Sequence, residues 1–147
     1  MCGDFFMQTY QIFEIKEDIY NIYKTETYKL YKILHNLYYM NKVDISYALT
    51  LYNQVCNRIS INKLKQEINV LKTKQHKNKY IINYKQNKII IIIKPTRIII
   101  KANHINPILM YLLNEYNKYL FVCNFETQQY FWINSNKSWT KLKNLVK

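Results

Sequence analysis

The first segment with a regular polar and apolar pattern is Gln8–Ile15, whose side chains alternate between two faces and predict a β-strand. A short apolar stripe follows it. Asp18 is a suitable N-cap for a helical turn at this point, and a spacing of three and four residues places three apolar side chains on one face of that turn: Ile19, Ile22 and Tyr23. The pattern therefore predicts a strand followed by a short helix.

Three longer segments repeat their apolar residues with the period of an amphipathic helix. The first is Thr27–Met40, with the stripe Leu30, Ile33, Leu34, Leu37 and Tyr38. Asp44 is a suitable N-cap for the second, whose predicted buried residues continue to position 59: Ile45, Ala48, Leu49, Tyr52, Val55, Cys56 and Ile59. Ser60 is predicted to open the third helix, which carries Ile61, Leu64, Ile68 and Leu71. We therefore expect three helices after the first strand.

Beyond the polar stretch 72–79 the apolar pattern changes to that of strands. Three short runs rich in β-branched residues predict an antiparallel meander: Tyr80–Tyr84, Lys88–Ile93 and Arg97–Lys101. The run Ile89–Ile93 consists entirely of isoleucine, and a continuous apolar strand is typical of a sheet that is buried on both faces. We therefore expect helices to pack over both faces of this strand.

The last third of the chain predicts a helix and a hairpin. Asn106 is a suitable N-cap, and Pro107 is well placed at the first helical position. The buried face of this helix is predicted to contain Ile108, Leu109, Leu112, Leu113 and Tyr116. Leu120–Asn124 and Gln129–Ile133 flank the polar turn 126–128 and predict a hairpin. Residues 134–147 are expected to form a helical turn or a loose tail with Trp139 as its anchor.

The predicted element order is β-ααα-βββ-α-ββ. A length of 147 residues suits one hydrophobic core, and the 49% of hydrophobic residues is enough to fill it. Strands separated by helices predict an α/β or α+β fold. We expect a single domain over residues 1–147, with a mixed, mostly antiparallel sheet packed against about four helices.

The net charge of +13 leaves two interpretations open. Residues 63–101 contain eleven cations against one acid, which is a pattern compatible with a nucleic-acid binder. However, the whole chain has only two arginines, Arg58 and Arg97, and its abundance of Lys, Asn, Ile and Tyr is also what an AT-rich coding sequence produces. Residues 1–26 carry five acids against two lysines, which a nonspecific polyanion binder does not need. We therefore expect nucleic-acid binding to be nonspecific at most.

The sequence offers no pattern typical of an active site. With Gly3 as the only glycine it has no phosphate-binding loop, and the three histidines are not spaced as metal ligands. Cys56 and Cys123 lie in apolar segments, where buried structural thiols are the usual case, although a cysteine–histidine pair that meets only in space stays open. Glu17 and Asp18 are adjacent and would point about 100° apart on a helix. We expect no enzyme, no cofactor and no metal.

Three cysteines at distant positions give no disulfide framework, which fits a reducing compartment. The longest purely apolar run is the five residues of Ile89–Ile93, whereas a membrane span needs about twenty. The first residues lack the basic region of a secretory signal. The sequence therefore predicts a cytoplasmic protein without a membrane segment.

Two stretches of the chain carry a resemblance to a known family. The first runs from Tyr10 to Leu34 and contains the sequence IKEDIYNIY between a strand and a helix. The second is FVCNFETQQYFWIN at 121–134, which follows a helix of the type NPILMYLLNEY. Both stretches resemble the SirA family of replication inhibitors. The order of these elements, their spacing and the overall length are also similar, whereas 60–105 is similar only in the type of its elements.

The resemblance implies a stoichiometric inhibitor that binds the N-terminal domain of the replication initiator DnaA as cells commit to sporulation. The family's contact surface includes a bulky apolar residue after a lysine–acid–acid triplet and a tyrosine four residues later, which match Ile19 and Tyr23 here. A glycine of the family is Thr25 in this chain, so the entry into the next helix is expected to differ. The resemblance extends the candidate protein-binding set to Asp44 and Tyr47, and the residues themselves add Asp18 and Glu26 as a charged rim that flanks the pair.

Two readings of Ile19 and Tyr23 stay open from the residues alone. An apolar and aromatic pair with a charged rim is how a small interface hot spot is built. Alternatively, both side chains simply pack onto the first strand. The fifteen tyrosines do not decide between them, because tyrosine is enriched in binding surfaces and also in chains of AT-rich genes.

Overall fold

A computed structural model describes residues 7–71, 73–84, 87–136 and 139. The elements of these residues follow each other in the order β1 (Gln8–Ile15), α1 (Glu17–Tyr23), α2 (Thr27–Met40), α3 (Ile45–Val55), β2 (Cys56–Asn57), α4 (Ile61–Ile68), β3 (Lys74–His76), β4 (Lys79–Tyr84), β5 (Asn87–Ile93), β6 (Ile98–Ala102), α5 (Pro107–Tyr116), β7 (Leu120–Asn124) and β8 (Gln129–Trp132). A 3₁₀ turn at Ile133–Ser135 follows. The predicted single α+β domain is confirmed.

The strands form one sheet with the order β3-β4-β5-β6-β1-β7-β8, and the short strand β2 pairs beside the end of β1. All the pairings between the described strands are antiparallel, so the parallel pairs that a mixed sheet would contain are not found among them. β1 lies in the interior of the sheet, between β6 and β7. β1 therefore connects the strands β3 to β6 with the hairpin of β7 and β8.

The two faces of the sheet are covered by different helices. On face A, α4 and α5 pack on a large core that includes Tyr10, Ile12 and Ile91. On face B, α1, α2 and α3 pack on β1, β7 and β8 around Phe13, Phe121 and Trp132. Because successive side chains of a strand point to opposite faces, Ile12 and Phe13 lie in different cores.

The helix predicted to follow Asp44 is too long at its C-terminal end. α3 ends at Val55, and Cys56 is extended with φ −118° and ψ 154°. Cys56 pairs with Ile15 of β1, so backbone pairing to a strand 41 residues earlier ends the helical pattern. The prediction that Ile45 and Leu49 are buried is also wrong, since their side chains are 71% and 48% exposed.

The first helix begins two residues earlier than predicted. Lys16 occupies the N-cap position without a side-chain hydrogen bond, and α1 begins at Glu17. Asp18 lies inside the first turn, where its Oδ1 accepts a hydrogen bond from the backbone N–H of Ile19 at 2.9 Å. The polar stretch 72–79 also contains the short strand β3, which the sequence pattern did not predict.

The isoleucine run is covered by a core on one face only. Ile89, Ile91 and Ile93 are buried in the core of face A, whereas Ile90 and Ile92 alternate with them and remain partly exposed on face B. The expectation of helices over both faces is therefore wrong, because the helices of face B pack over β1, β7 and β8. The anchor role predicted for Trp139 agrees with its burial in the core of face A, and the rest of the tail beyond 136 lies outside the described residues.

A hydrogen-bonded chain crosses the core of face A. The backbone N–H of Ser60 donates to the hydroxyl of Tyr116 at 2.8 Å, and that hydroxyl donates to Oε1 of Glu14. Glu14 is buried in the central strand. Desolvation by burial raises the pKa of Glu14, and the hydrogen bond from Tyr116 and the charge of Lys63 oppose this rise without cancelling it.

We predict that Glu14→Gln removes a pH dependence of stability. Since the pKa of Glu14 is higher in the folded state than its ordinary value of 4.5, the folded protein binds this proton more tightly than the unfolded chain. Its contribution to the free energy of unfolding is therefore full below the ordinary pKa and is lost as the pH rises through the raised one. Urea unfolding at several pH values should show Glu14→Gln gaining stability relative to the wild type as the pH rises.

Glu126→Gln is the control for the change in net charge, because it removes one carboxylate at an exposed position. A constant stability difference between Glu14→Gln and the wild type over the whole pH range would contradict the prediction.

Candidate protein-binding surface

The backbone on both sides of the first helix is tied to the rest of the fold. The N–H of Ile15 donates to the carbonyl of Tyr119 at 2.9 Å, and the N–H of Lys16 donates to the carbonyl of Val55 at 3.0 Å. α1 therefore leaves the sheet beside the C-terminal end of α3.

Tyr20 attaches α1 to the sheet. Its ring centroid lies 4.7 Å from that of Tyr119 and 4.7 Å from that of Trp132, the second contact being edge-to-face. The hydroxyl of Tyr119 also donates to Oε1 of Glu17 at 2.9 Å, and this hydrogen bond is the main reason why the pKa of Tyr119 is raised. One aromatic side chain and one carboxylate of α1 thus hold the helix at a defined position.

The remaining apolar side chains of α1 form an open surface. None of the residues of this helix is buried. Ile19 and Tyr23 are partly buried against the core of face B, and Ile22 is 60% exposed. We call these three residues the α1 patch. Ile19 and Tyr23 each pack inward and also leave surface open, so the alternative that both side chains simply pack onto the first strand does not account for all of their surface.

Two of the predicted acidic residues lie at the edge of the α1 patch. Asp18 is exposed in the first turn of α1, and Glu26 is exposed just after the helix. Glu26 forms an ion pair with Lys29 at 3.0 Å. The carboxylate of Asp18 therefore has no cationic partner among the described residues, whereas Lys29 already neutralises the carboxylate of Glu26.

The structure separates Asp44 and Tyr47 from the α1 patch. Asp44 is the N-cap of α3, as predicted, and its Oδ1 accepts from the N–H of Tyr47 at 3.0 Å. This end of α3 is the one far from α1, because Val55 at the opposite end is hydrogen-bonded to Lys16, the residue before α1. An eleven-residue helix is about 16 Å long. The six candidate residues therefore occupy two places and not one.

A second exposed apolar area, which the sequence pattern missed, surrounds the start of α3. It consists of Val43, Ile45, Tyr47 and Leu49, and we call it the α3 corner. A groove of about 220 Å³ lies beside it, lined partly by Leu37, Tyr38 and Arg97. Ala48, Tyr52 and Val55 form the buried stripe of this helix. Since the stripe of Ile45 and Leu49 is equally apolar, the sequence alone could not tell which one faces the core.

The described cysteines lie in buried positions, and His35 lies among aromatic rings. Cys56 and Cys123 are buried, and burial raises the pKa of both thiols well above the ordinary value. The His35 ring packs beside Tyr39 at 4.5 Å between centroids. Within the described ranges no group of three potential ligands could hold a metal ion, and no helix there is long and apolar enough to cross a bilayer. Cys2 lies outside the described residues.

One of the two arginines serves an internal role. Nε of Arg97 donates to Oε1 of the buried Gln11 at 2.7 Å, and desolvation lowers the pKa of the guanidinium. Its guanidinium carbon lies 5.9 Å from the ring centroid of Tyr38. A guanidinium held in this way is a poor starting point for phosphate or guanine contacts, which need a free planar fork.

Comparison with known proteins adds one match, which covers most of the chain. The family model described as sporulation inhibitor of replication protein SirA matches residues 8–137. The chain belongs to the SirA family. The matched range starts at β1 and includes α1, the α3 corner and every residue of the two cores except Trp139. A search of the curated proteins finds none that matches.

Membership of the SirA family confirms the resemblance drawn from the two end segments. The family description places the chain among proteins that inhibit replication in connection with sporulation. Inhibition of replication is therefore the function that the family supports.

We predict that Tyr20→Ala loosens α1 in this SirA-family protein without unfolding the sheet. The variant loses two aromatic contacts, each worth about 0.5–1.5 kcal/mol beyond the burial of area. A helix of seven residues does not persist without tertiary contacts. We expect the free energy of unfolding to fall by about 1–3 kcal/mol and amide exchange in α1 to accelerate more than that in β1. Urea unfolding and hydrogen exchange measure the two effects.

The control is Asn21→Ala, which changes an exposed neighbour on the same helix. Equal protection of α1 in the two variants would show that Tyr20 does not hold the helix.

Proposed function

We propose that this SirA-family protein is a stoichiometric inhibitor of replication initiation that binds the N-terminal domain of DnaA through the α1 patch. The observation that carries the proposal is that α1 is held rigidly by Tyr20 while Ile19, Ile22 and Tyr23 leave apolar surface open. Because DnaA acts on the chromosome, we expect the inhibitor in the cytoplasm.

Rigid presentation favours binding because less conformational entropy is lost on association. Tyr20 attaches α1 through two rings that belong to β8 and to the residue before β7. The side chains of the α1 patch thus project from a helix whose position is already defined. A flexible segment with the same residues would lose more entropy on binding and would bind more weakly.

The composition of the patch is typical of an interface centre. Tyrosine is enriched among residues that contribute most to binding, and neighbouring isoleucines add apolar area that excludes water. Asp18 and Glu26 supply a charged rim, where charges affect the association rate and orientation more than the affinity. Asp18 has no cationic partner among the described residues, which favours a basic group on the partner surface opposite it.

Inhibition follows from occupancy alone. The resemblance to the family implies that the N-terminal domain of DnaA is a module for docking partners. A protein bound there in a one-to-one ratio competes with those partners, and no chemical step is required.

We predict that the α1 patch determines the affinity for DnaA. Isothermal titration of the full chain with the N-terminal domain of DnaA from the encoding organism should give a one-to-one complex. Ile19→Ala, Ile22→Ala and Tyr23→Ala should each raise Kd by about tenfold or more, equivalent to about 1.4 kcal/mol. Ile22→Ala is the most informative variant, because its exposed side chain contributes least to the fold.

Val70→Ala is the matched control, because Val70 is also exposed but follows α4, which packs on face A. It should bind as the wild type does. Thermal unfolding of each variant verifies that its fold is intact. Unchanged affinity of all three α1 variants would exclude the patch, and failure of the wild type to bind would exclude DnaA as the partner.

The same titration tests whether the α3 corner belongs to the interface. Standard interfaces bury about 800 Å² on each partner, which is enough to reach from α1 along α3. Tyr47→Ala is suitable, since this tyrosine is 51% exposed and only its backbone takes part in the N-cap. A loss of affinity would place Tyr47, and with it Asp44, at the interface, and wild-type affinity would restrict the interface to α1.

A further inference from the structure

Part of face B has an apolar surface that neither core covers. Ile81 of β4 pairs with Ile90 of β5, and Ile92 of β5 pairs with Ile99 of β6. Paired residues of antiparallel strands lie on the same face, so the four side chains are neighbours. The first three are partly exposed and pack against neither core cluster. We call these four residues the isoleucine patch.

Lysines surround this patch on the same face. Lys74 is paired with Ile81, Lys79 with Ile92, and Lys101 with Ile90. Lys88, paired with Asn83, adds a fourth at the other end of β4 and β5. In the part of the chain that the structure describes, the only ion pair within 4.0 Å joins Lys29 and Glu26, so these four ammonium groups lack a carboxylate partner there.

This arrangement is more specific than a basic surface. Lysine stems can lie along apolar neighbours while the ammonium groups stay in water, so isoleucines and lysines are compatible on one exposed face. A surface selected only for solubility needs no isoleucines between its lysines. Apolar side chains in the centre and unpaired cations at the edge are complementary to a ligand that is apolar in its centre and acidic at its edges.

The dimensions suit one helix. Neighbouring strands are about 4.8 Å apart, so β4, β5 and β6 span about 10 Å between the outer axes, close to the diameter of a helix. The helices of face B pack over β1, β7 and β8. A groove of about 450 Å³, lined by residues that include Tyr38, Tyr39 and Ile99, lies where α2 ends and this open area begins.

We propose that the isoleucine patch and its four lysines bind an acidic amphipathic helix of a partner protein. The apolar side of that helix lies on Ile81, Ile90 and Ile92, and its carboxylates lie beside the lysines. This surface is distinct from the α1 patch, since α1 contacts the β8 end of the sheet and the isoleucine patch lies on β4, β5 and β6 toward the other end. The proposal does not depend on DnaA as the partner of α1.

Nucleic acid fits this surface less well. Single-stranded bases stack on aromatic rings, and β3 to β6 place no Phe, Tyr or Trp among the described residues on this face. Duplex DNA would bring phosphates against isoleucines and leave the apolar side chains without apolar partners. The Lys-rich segment 63–101 thus fits the binding of a protein better than the nucleic-acid binding that its charge first suggested.

We predict that the full chain binds a synthetic 18-residue peptide with leucines on one helical face and glutamates on the others. Fluorescence anisotropy should give a Kd in the range of about 1–100 μM, and the affinity should fall as salt is added because the lysines are exposed. The double variant Lys79→Glu with Lys101→Glu should weaken binding by about tenfold or more. Ile90→Asn, which keeps the charge, should do the same.

The matched control is Lys24→Glu with Lys118→Glu, which changes the net charge equally at exposed positions away from the patch. It should retain most of the affinity. A scrambled peptide of the same composition should bind at least about tenfold more weakly, because it presents no apolar face. Circular dichroism confirms that each variant is folded.

Three results would overturn the proposal. Equal losses in the two double variants would show attraction to net charge only. Absence of peptide binding, with DNA binding that the Lys79 and Lys101 changes abolish, would identify nucleic acid as the ligand. A dimer in sedimentation experiments that Ile90→Asn dissociates would identify a second copy of this chain.

Discussion

The pairing of β1 with its neighbours is the constraint on which the rest of the structure depends. This strand pairs with β6 on one side, with β7 on the other and with β2 at its end. Its alternating side chains supply both cores, Ile12 to face A and Phe13 to face B. A shift of one residue in its register would exchange these side chains between the faces and would place the carboxylate of Glu14 away from Tyr116. The positions of all the helices therefore follow from one strand.

The pairing of β1 determines the position of the α1 patch. One residue separates the end of β1 from the start of α1, and the backbone of that residue is bonded to the end of α3. Tyr20 then packs on rings at the opposite edge of the sheet from β3. The helix is short, but Trp132, one of the two rings that hold it, is buried in the core of face B. This is why apolar side chains can remain open on it without loss of order.

Local patterns predicted most elements where the relevant contacts are local. α2 has the predicted bounds because its apolar stripe, Leu30 to Leu37, is the stripe that faces the core. The start of α5 follows from the Asn106 cap and Pro107. The errors have two different causes. Cys56 is extended and not helical because it pairs with β1, which lies 41 residues earlier in the chain. β3 pairs with the adjacent β4 across a two-residue turn, and its three polar residues carry no alternating apolar pattern that would indicate a strand.

The sequence by itself determined that the chain folds as one α+β unit, and it identified the segment that carries the α1 patch, because period, caps and the family resemblance are properties of consecutive residues. Only the tertiary structure decided which apolar residues remain open. Ile45 and Leu49 compete with an equally apolar stripe on α3, and Ile90 and Ile92 lie in an isoleucine run that has the same residue type on both faces. Which face is covered depends on where helices from other parts of the chain pack.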